Sequence, residues 1–396
     1  MIIEYITVNN FKSLVNFDLR LSHFTCLIGL NGSGKSTVLQ FIDFLSQLFH
    51  GDIKGWLESR NWKPADIPFH GSNELVNFSV TLGQKFGHWR GDYDVNKGYC
   101  TYEELTLPQV YLRVNNGELE IQGKSAADGE WHEVHKEKVV FRYQGSILSQ
   151  LRYDALPSLE LANSNAIHEC HEFMSNIHSL ELLSPEFLRQ KTREVTNSIG
   201  QGGEKLSAFL HELGVEGRKE LTKRLQPAYS HLESVNTTAL PSGWKQLEIQ
   251  ESFDGHKVIT EARHINDGML RLLAIFAEIQ AKKHSFLLFD EIENGINPEL
   301  VEFVVNALVT APQQILVTTH SPMILNYLDD KVAKNGVMYL YKDSHGHTKS
   351  IPFFSIDSLE KKLKVMGPGE AFVDTDLSSL IKEIESNPPA KSSKEA

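Results

Sequence analysis

The most specific chemical signal in the chain is the octapeptide GLNGSGKS, Gly29 to Ser36, which fits the pattern G-x-x-x-x-G-K-[ST]. Glycines at those positions let backbone N–H groups turn toward phosphate oxygens, and a helix starting just behind them adds its positive end. A lysine at the seventh position, Lys35, can neutralise the β and γ phosphates of a nucleoside triphosphate, and the following hydroxyl, Ser36, can ligate Mg²⁺. The candidate contacts are therefore Asn31, Gly32, Ser33, Gly34, Lys35, Ser36 and Thr37. At average residue usage a chain of this length meets the pattern by chance only about one or two times in a hundred. An apolar strand-like run before it and a helical pattern after it are what a phosphate-binding (Walker A) loop requires.

A second constellation lies near the other end. FLLFDEIENG, Phe286 to Gly295, is an apolar run that ends in two adjacent carboxylates. A strand buried on both faces delivers Asp290 and Glu291 at its C-terminal edge, where open α/β sheets bind ligands. Asp290 can hold Mg²⁺ through water, and Glu291 can orient and activate an attacking water as general base. One strand-helix-strand unit later, ILVTTHSP ends at His320, which is expected on the same sheet edge beside a γ-phosphate. Upstream, Asn266, Asp267 and Gly268 open a helical run, HINDGMLRLLAIFAEIQAKK, and a capped helix start presents N–H groups to an anion.

These residues need a frame. IEYITV, VNFDLRL and FTCLIGL predict three strands within residues 1–30, and residues 35–49 predict a helix with apolar positions on more than one side, hence largely buried. From about Leu75 to Gln144 the pattern shortens to alternating stretches, NFSVTL, VYLRV, ELEIQ and KVVFRY, with a hairpin turn at Asn115, Asn116 and Gly117. Helical patterns broken by Pro185, Gly200, Gly202, Gly203, Gly214 and Pro227 occupy residues 146–235, and these breakers exclude the sustained heptads of a long coiled-coil arm. Strand text returns with KQLEIQE and HKVITEAR, followed by a helix at 266–282, a strand at 285–289, a helix from Pro298, a strand at QILVTT and a helix after Ser321. Alternation of that kind predicts a parallel sheet. The expected organisation is an N-terminal lobe at 1–145, a helical insertion at 146–240, a C-terminal lobe at 241–385 and a disordered tail at 386–396.

With 396 residues, 41% apolar and 23% charged, the composition is that of an ordinary soluble α/β protein, without an apolar run of spanning length or a secretory leader, so a cytoplasmic location is expected. The net charge of −12 excludes a broad electrostatic footprint for DNA. The nearest candidates for a local basic patch are Arg189, Lys191, Arg193, Arg218, Lys219, Lys223 and Arg224, although such charges on helices are more often solvated faces. Cys26, Cys100 and Cys170 are too widely spaced for a metal or disulfide framework and are expected as reduced thiols.

Taken in order, GLNGSGKS, INDGMLR, FLLFDEIENG and VTTHSP resemble the Walker A, signature, Walker B with D-loop, and switch-histidine motifs of ABC-type ATPase heads, most closely those of the RecF-like, SMC-like and OLD-like branch often described as AAA family ATPases. The resemblance implies an α/β ABC-type head with an antiparallel β lobe, a parallel-sheet P-loop core and a helical insertion. It implies ATP and Mg²⁺ as cofactors and Lys35, Glu291 and His320 as catalytic groups. NNFKSLVNFDLRLS resembles the loop near the adenine in that branch, which makes Lys12 and Ser13 nucleotide contacts, and Gln144 in FRYQGS stands as the Q-loop residue toward the metal. In such heads the signature, here Asn266 to Gly268, meets the nucleotide of a second protomer, which implies a homodimer sandwiching ATP or a higher oligomer. Two positions depart from the pattern: Asn266-Asp267-Gly268 replaces the Ser-Gly-Gly of transporters, and Asn297 stands where relatives commonly have histidine. The stretch after His320, too short for the nuclease domain of OLD-type proteins and showing no metal-ligand cluster, contains KVMGPGEAFVDTDLSSL. That segment resembles stand-alone ATPases of bacterial antiphage modules, whose partner is a separately encoded effector, commonly a nuclease. The alternative within the same resemblance is a DNA-repair or chromosome-maintenance ATPase that contacts nucleic acid directly; a membrane transporter subunit fits the large β lobe and insertion poorly.

Overall fold

The computed structural model describes residues 1–69, 75–83, 86–115, 117–124, 129–140, 143–151, 161–181 and 183–386. The chain divides into two compact units, the first from Met1–His178, Asn335–Ile356 and the stretch from Leu377, the second from Ser179–Lys334 and Asp357–Asp376.

The first unit carries an eight-stranded antiparallel sheet. Its strands are β1 (Ile3–Asn9), β2 (Phe17–Arg20), β4 (Leu75–Leu82), β5 (Gly87–Asp94), β6 (Tyr99–Thr106), β7 (Val110–Asn115), β8 (Glu118–Lys124) and β9 (Trp131–Lys138), in the order β2-β1-β4-β5-β6-β7-β8-β9. Alternation decides the buried face: in β4 the side chains of Val76, Phe78, Val80 and Leu82 are inside and the residues between them are not. The predicted turn closes the β7–β8 hairpin, with Asn115 paired to Glu118 and Gly117 at φ 78°, while Asn116 lies outside the described residues. The expected strand KVVFRY is a correction. The last strand runs earlier, from Trp131 to Lys138, residues 139 and 140 are irregular, and 141 and 142 lie outside the described residues. This edge strand is exposed over most of its length and rich in charge, so it has no buried face and no apolar alternation to announce it.

Helix α1 (Lys35–His50) follows strand β3 (Phe24–Ile28), all five residues of which are buried. The helix is buried on several sides, as its apolar pattern requires. Phe41 and Phe44 meet Phe11 beyond β1, and Phe44 also meets Trp56 of helix α2 (Ile53–Ser59) and Tyr93 of β5. Helix α3 (Leu161–Ser175) packs on α1. From far downstream, β16 (Val337–Lys342) pairs in parallel with β3, and β17 (Thr348–Pro352) returns antiparallel to β16. Neither of these two strands was anticipated from the sequence. Helix α13 (Leu377–Ser386) ends the described chain of this unit; the predicted tail lies, from residue 387 on, outside the described residues.

In the second unit β14 (Phe286–Phe289) and β15 (Gln314–Thr318) pair in parallel and are buried along their whole length, and α8 (Val301–Val309) carries the chain from one to the other. Helix α7 (Asp267–Ala281) precedes them. A three-stranded meander, β11 (Leu232–Ala239), β12 (Lys245–Phe253) and β13 (His256–Glu261), packs on α5 (Leu206–Glu212) and α6 (Gly214–Leu225), and α4 (Pro185–Leu188) and α6 pack on α7. Helix α9 (Pro322–Asn326) packs on α12 (Pro368–Val373), with α11 (Asp357–Lys362) before it. Strand β10 (Ile177–Leu180) and helix α10 (Asp330–Gly336) span the points where the chain passes between the units. The segment 146–235 is mainly helical, as its pattern suggests, but it also contains β10 and the start of β11. Among its described residues the longest helix, α3, has 15 residues, too few for a coiled-coil arm. All three cysteines are buried free thiols, and burial pushes Cys170 up to about 12. Among the described residues no helix is long and apolar enough to cross a membrane.

Asp43, buried on α1, accepts from Trp56 Nε1 at 2.6 Å and from Arg60 Nη2 at 2.7 Å, and the Arg60 guanidinium lies over the Trp56 ring. Replacing one partner strands the other's charge. Asp43→Ala is therefore expected to destabilise the protein by about 3–5 kcal/mol, measured by urea unfolding, and Arg60→Met combined with Asp43→Leu by much less.

Candidate nucleotide site

The phosphate loop leaves the buried strand β3 at Gly29, whose φ of 152° no other residue type adopts readily and whose missing Cβ would collide with the Leu340 carbonyl oxygen of β16. Gly34, at φ 106°, is closed off in the same way by the Thr348 hydroxyl. No side chain caps the N-terminus of α1. The helix end thus keeps its positive character for a ligand rather than spending it on a serine or aspartate. Lys35 is buried, and its Nζ donates to the carbonyls of Gly29 at 2.9 Å and Leu30 at 3.3 Å, so the cation sits on the loop itself.

Thr348, at the start of β17, braces this loop. Its buried hydroxyl donates to the Ser33 carbonyl at 3.0 Å, and its N–H donates to the Ser13 carbonyl at 2.8 Å. Since the one hydroxyl proton is committed to Ser33, the 2.9 Å contact between the Ser13 and Thr348 hydroxyls must have Ser13 as donor. Ser13 is thereby one residue removed from the phosphate loop. Lys12, held at φ 46°, points its Nζ elsewhere, to Gln40 Oε1 at 2.9 Å and over the Trp62 ring at 3.1 Å from its centroid.

Gln144 is a correction. Its side-chain oxygen accepts from the Lys54 amide at 2.8 Å, and the next residues bond to the last turn of α1, with Ser146 N–H donating to the Leu48 carbonyl. Ser36 is at the other end of that helix. At about 1.5 Å per residue the 16-residue α1 separates the two by roughly 20 Å, so Gln144 cannot share a metal with Ser36.

In the second unit the paired carboxylates emerge directly from β14, and a single hydroxyl from β15 organises both. Thr318 Oγ1 donates to Asp290 Oδ1 at 2.5 Å and accepts from the Glu291 N–H at 2.8 Å. Glu291 has φ 47°, a left-handed conformation that costs a non-glycine residue of order 1–3 kcal/mol and that persists only where surrounding bonds enforce it. Its carboxylate accepts from Asn294 Nδ2 at 3.3 Å. Glu293 Oε1 accepts from the His320 N–H at 2.8 Å, which fixes the backbone of that residue while its side chain is exposed. Asp290 and Glu291 thus follow β14, and His320 follows its parallel partner β15.

Asn266 caps α7, its Oδ1 accepting from the Met269 N–H at 2.9 Å. Asp267 is paired with Arg189 at 2.5 Å, and the same guanidinium donates to the Ile265 carbonyl at 2.8 Å. A Cβ at Gly268 would stand 3.3 Å from the Gly295 carbonyl oxygen. Arg271 on the next turn donates to the Asn294 carbonyl, tying the signature helix to the segment after the carboxylates. Burial pulls the Arg271 guanidinium below its ordinary pKa, and Asp267 and Glu291 pull the other way. A small cleft beside the carboxylates is lined by Leu180, Leu183, Arg271, Ile275, Asp290, Glu291 and Asn294. Of the basic residues considered as a patch, Arg189 is on Asp267, Lys191 on Gln246, Arg218 on the Leu210 carbonyl, Lys219 on Glu216 and Arg224 on Glu220.

Sequence reasoning missed Thr318, Thr348, Glu293 and Arg271. Thr318 stood inside the quoted VTTHSP, where a hydroxyl at the end of an all-apolar strand is itself a signal. Thr348 has no local signal, because only the pairing of β16 with β3 brings it to the loop.

Two family models match the chain, "AAA domain, putative AbiEii toxin, Type IV TA system" over residues 161–326 and "AAA ATPase domain" over residues 1–86. No curated protein matches it. Similar solved structures include an Smc head bound to the C-winged helix domain of ScpA, 18% identical, covering 92% of this chain and 100% of that one at TM-score 0.49. The SMC head domain from Thermotoga maritima is 13% identical, with 89% and 99% covered at TM-score 0.44, and an Smc head from Pyrococcus furiosus with an extended coiled coil, bound to the C-terminal domain of ScpA, is 16% identical, with 92% and 98% covered at TM-score 0.46. The two AAA-type ATPase models thus match separate stretches of the chain, one carrying the phosphate loop and the other the paired carboxylates and His320.

Thr318→Val keeps the shape of the strand end but leaves the Glu291 amide and the Asp290 carboxylate without their shared partner. It is expected to cost about 1–3 kcal/mol in stability by denaturant unfolding. Thr318→Ser, which retains the hydroxyl, should recover most of that loss.

Proposed function

We propose that this protein hydrolyses ATP and works as a nucleotide-gated dimeric switch. The observation that carries the proposal is the phosphate loop, where glycines confined by Leu340 and Thr348, a helix start without a side-chain cap and the Lys35 ammonium on the loop carbonyls together suit a triphosphate. Asn31 to Thr37 hold the phosphates, with Ser13 and, less directly, Lys12 toward the base. The oxygen donors Ser36 and Asp290 suit a hard cation, and Mg²⁺ held by them would neutralise charge developing on the β and γ phosphates. Glu291 takes the proton of the attacking water, and its enforced backbone conformation sets the direction of that carboxylate before substrate arrives. His320 serves the γ-phosphate.

The switch requires a second copy. Asn266, Asp267 and Gly268 at the start of α7 face the nucleotide held by the partner head, and the Arg189–Asp267 pair keeps an acidic side chain from crowding that approach. Two heads clasp two ATP molecules, and hydrolysis opens the clasp. Similarity to a model described as a putative AbiEii toxin of a Type IV TA system supports a place in a defence module, with the opened or closed head controlling a separately encoded effector, a nuclease.

Glu291→Gln should bind ATP normally while turnover falls at least about a hundredfold, and the trapped nucleotide should hold the heads together in sedimentation. Wild-type turnover in that variant would remove Glu291 from the role of base. Gly268→Arg should bind ATP yet neither associate nor hydrolyse. Mixed with Lys35→Ala, which cannot hold nucleotide, it should regain at most one working site per pair; normal turnover by Gly268→Arg alone would rule out the clasp.

A further inference from the structure

The sequence around DSHGHT shows no obvious metal pattern, but the fold brings one together. Asp343, His345 and His347 occupy the turn between β16 and β17, and one ligand atom from each lies within 4.8 Å of the other two. The turn is closed by Asp343 N–H to the His347 carbonyl at 2.9 Å and Gly346 N–H to the Asp343 carbonyl at 3.0 Å, with Gly346 at φ 79°. Residues two apart in such a tight reversal project to the same side, so three donors separated by single residues converge.

Asp343 and His347 are oriented by bonds within the turn, and His345 Nδ1 lies 3.3 Å from the Ser344 hydroxyl. Asp343 Oδ1 accepts from the His345 and His347 amides, both at 2.9 Å, which fixes the carboxylate plane and turns Oδ2 toward His347 Nδ1 at 3.4 Å. The His347 ring is held by the edge contact with Phe69, 5.1 Å between centroids, and the His345 ring is stacked on it at 5.7 Å. A carboxylate whose second oxygen is anchored to backbone amides is the supporting arrangement that ligand groups at metal centres need. An Asp–His ion pair alone explains Asp343 and His347, but not the convergence of His345.

We propose that this turn binds a divalent transition metal ion of the zinc class through Asp343, His345 and His347. Two imidazoles and one carboxylate, without sulfur, suit such an ion and leave at least one position for water or an external ligand. With bond lengths near 2.0–2.2 Å a tetrahedral ion holds its donors roughly 3.3 Å apart, so donors within 4.8 Å of one another close on it by at most about 1.5 Å. Mg²⁺, which prefers oxygen donors, should not compete. The site stands independently of the nucleotide reading.

The test is a Zn²⁺ titration of the full chain, without nucleotide, against a chromogenic chelator, with the stoichiometry compared between wild type and two variants. His345→Ala removes an exposed ligand at no cost to the core, and Asp343→Asn keeps an amide oxygen for the two backbone N–H groups while losing the charge. The expected result is one equivalent of tight Zn²⁺ in wild type that weakens at least tenfold in each variant, resists a hundredfold excess of Mg²⁺, and gives an absorption spectrum of imidazole-bound Co²⁺ on substitution. No tight equivalent in wild type, or the same stoichiometry and affinity in both variants, overturns the proposal. With 17 histidines in the chain, other weak sites are expected, and they cancel in the comparison.

Discussion

A site that holds phosphate with backbone amides must keep a helix end without a competing side chain and still prevent the loop before it from collapsing. In this chain the requirement is met from outside the loop. Glycine at positions 29 and 34 lets the backbone pass where a Cβ would strike Leu340 or Thr348, and Thr348 in turn takes up the Ser33 carbonyl. The arrangement is reciprocal, because the strand pair that confines the glycines is also what gives the loop its shape. Lys35 adds a cation, bonded to the Gly29 and Leu30 carbonyls, on the loop itself. The burial of β3 and α1 on several sides supplies the rigidity that such a short-range fit needs.

The carboxylate end solves a different problem by a related device. Two adjacent acids at the end of a strand repel each other and would fray, yet Thr318 draws both into one register through a single hydroxyl. The left-handed backbone at Glu291 is the local cost of that register, offset by the bonds from Thr318 and Asn294. Arg271 extends the same network to the signature helix through the Asn294 carbonyl, so the segments after the carboxylates and at the start of α7 form one hydrogen-bonded assembly.

The elements that could be read from the sequence were those whose pattern is local. Strand β3, helix α1, the run FLLF and the helix from Asp267 are announced by apolar periodicity together with a cap or a glycine, and all four stand where the spacing placed them. KVVFRY misled because it is the more apolar stretch, whereas the edge strand ahead of it is polar on both faces. Gln144 misled because its position in the motif order agreed with a role that its position in space, at the far end of α1, does not allow. Thr348 and the metal-type turn could not be read at all. Thr348 reaches the loop only through β16 pairing with β3, which no periodicity within a strand reports, and the turn takes its shape from the β16–β17 hairpin, whose strands were not anticipated.

That pairing has a consequence during synthesis. The bond from Thr348 to Ser33 spans 315 residues and the one between Ser13 and Thr348 spans 335, so a nascent chain carries its phosphate loop unbraced for most of its time on the ribosome. At about 5–20 residues per second that interval is roughly fifteen seconds to a minute, long compared with the folding of local elements. The loop can take its final shape only after the β16–β17 hairpin has emerged, which makes a working nucleotide pocket a late event and leaves truncated translation products without one.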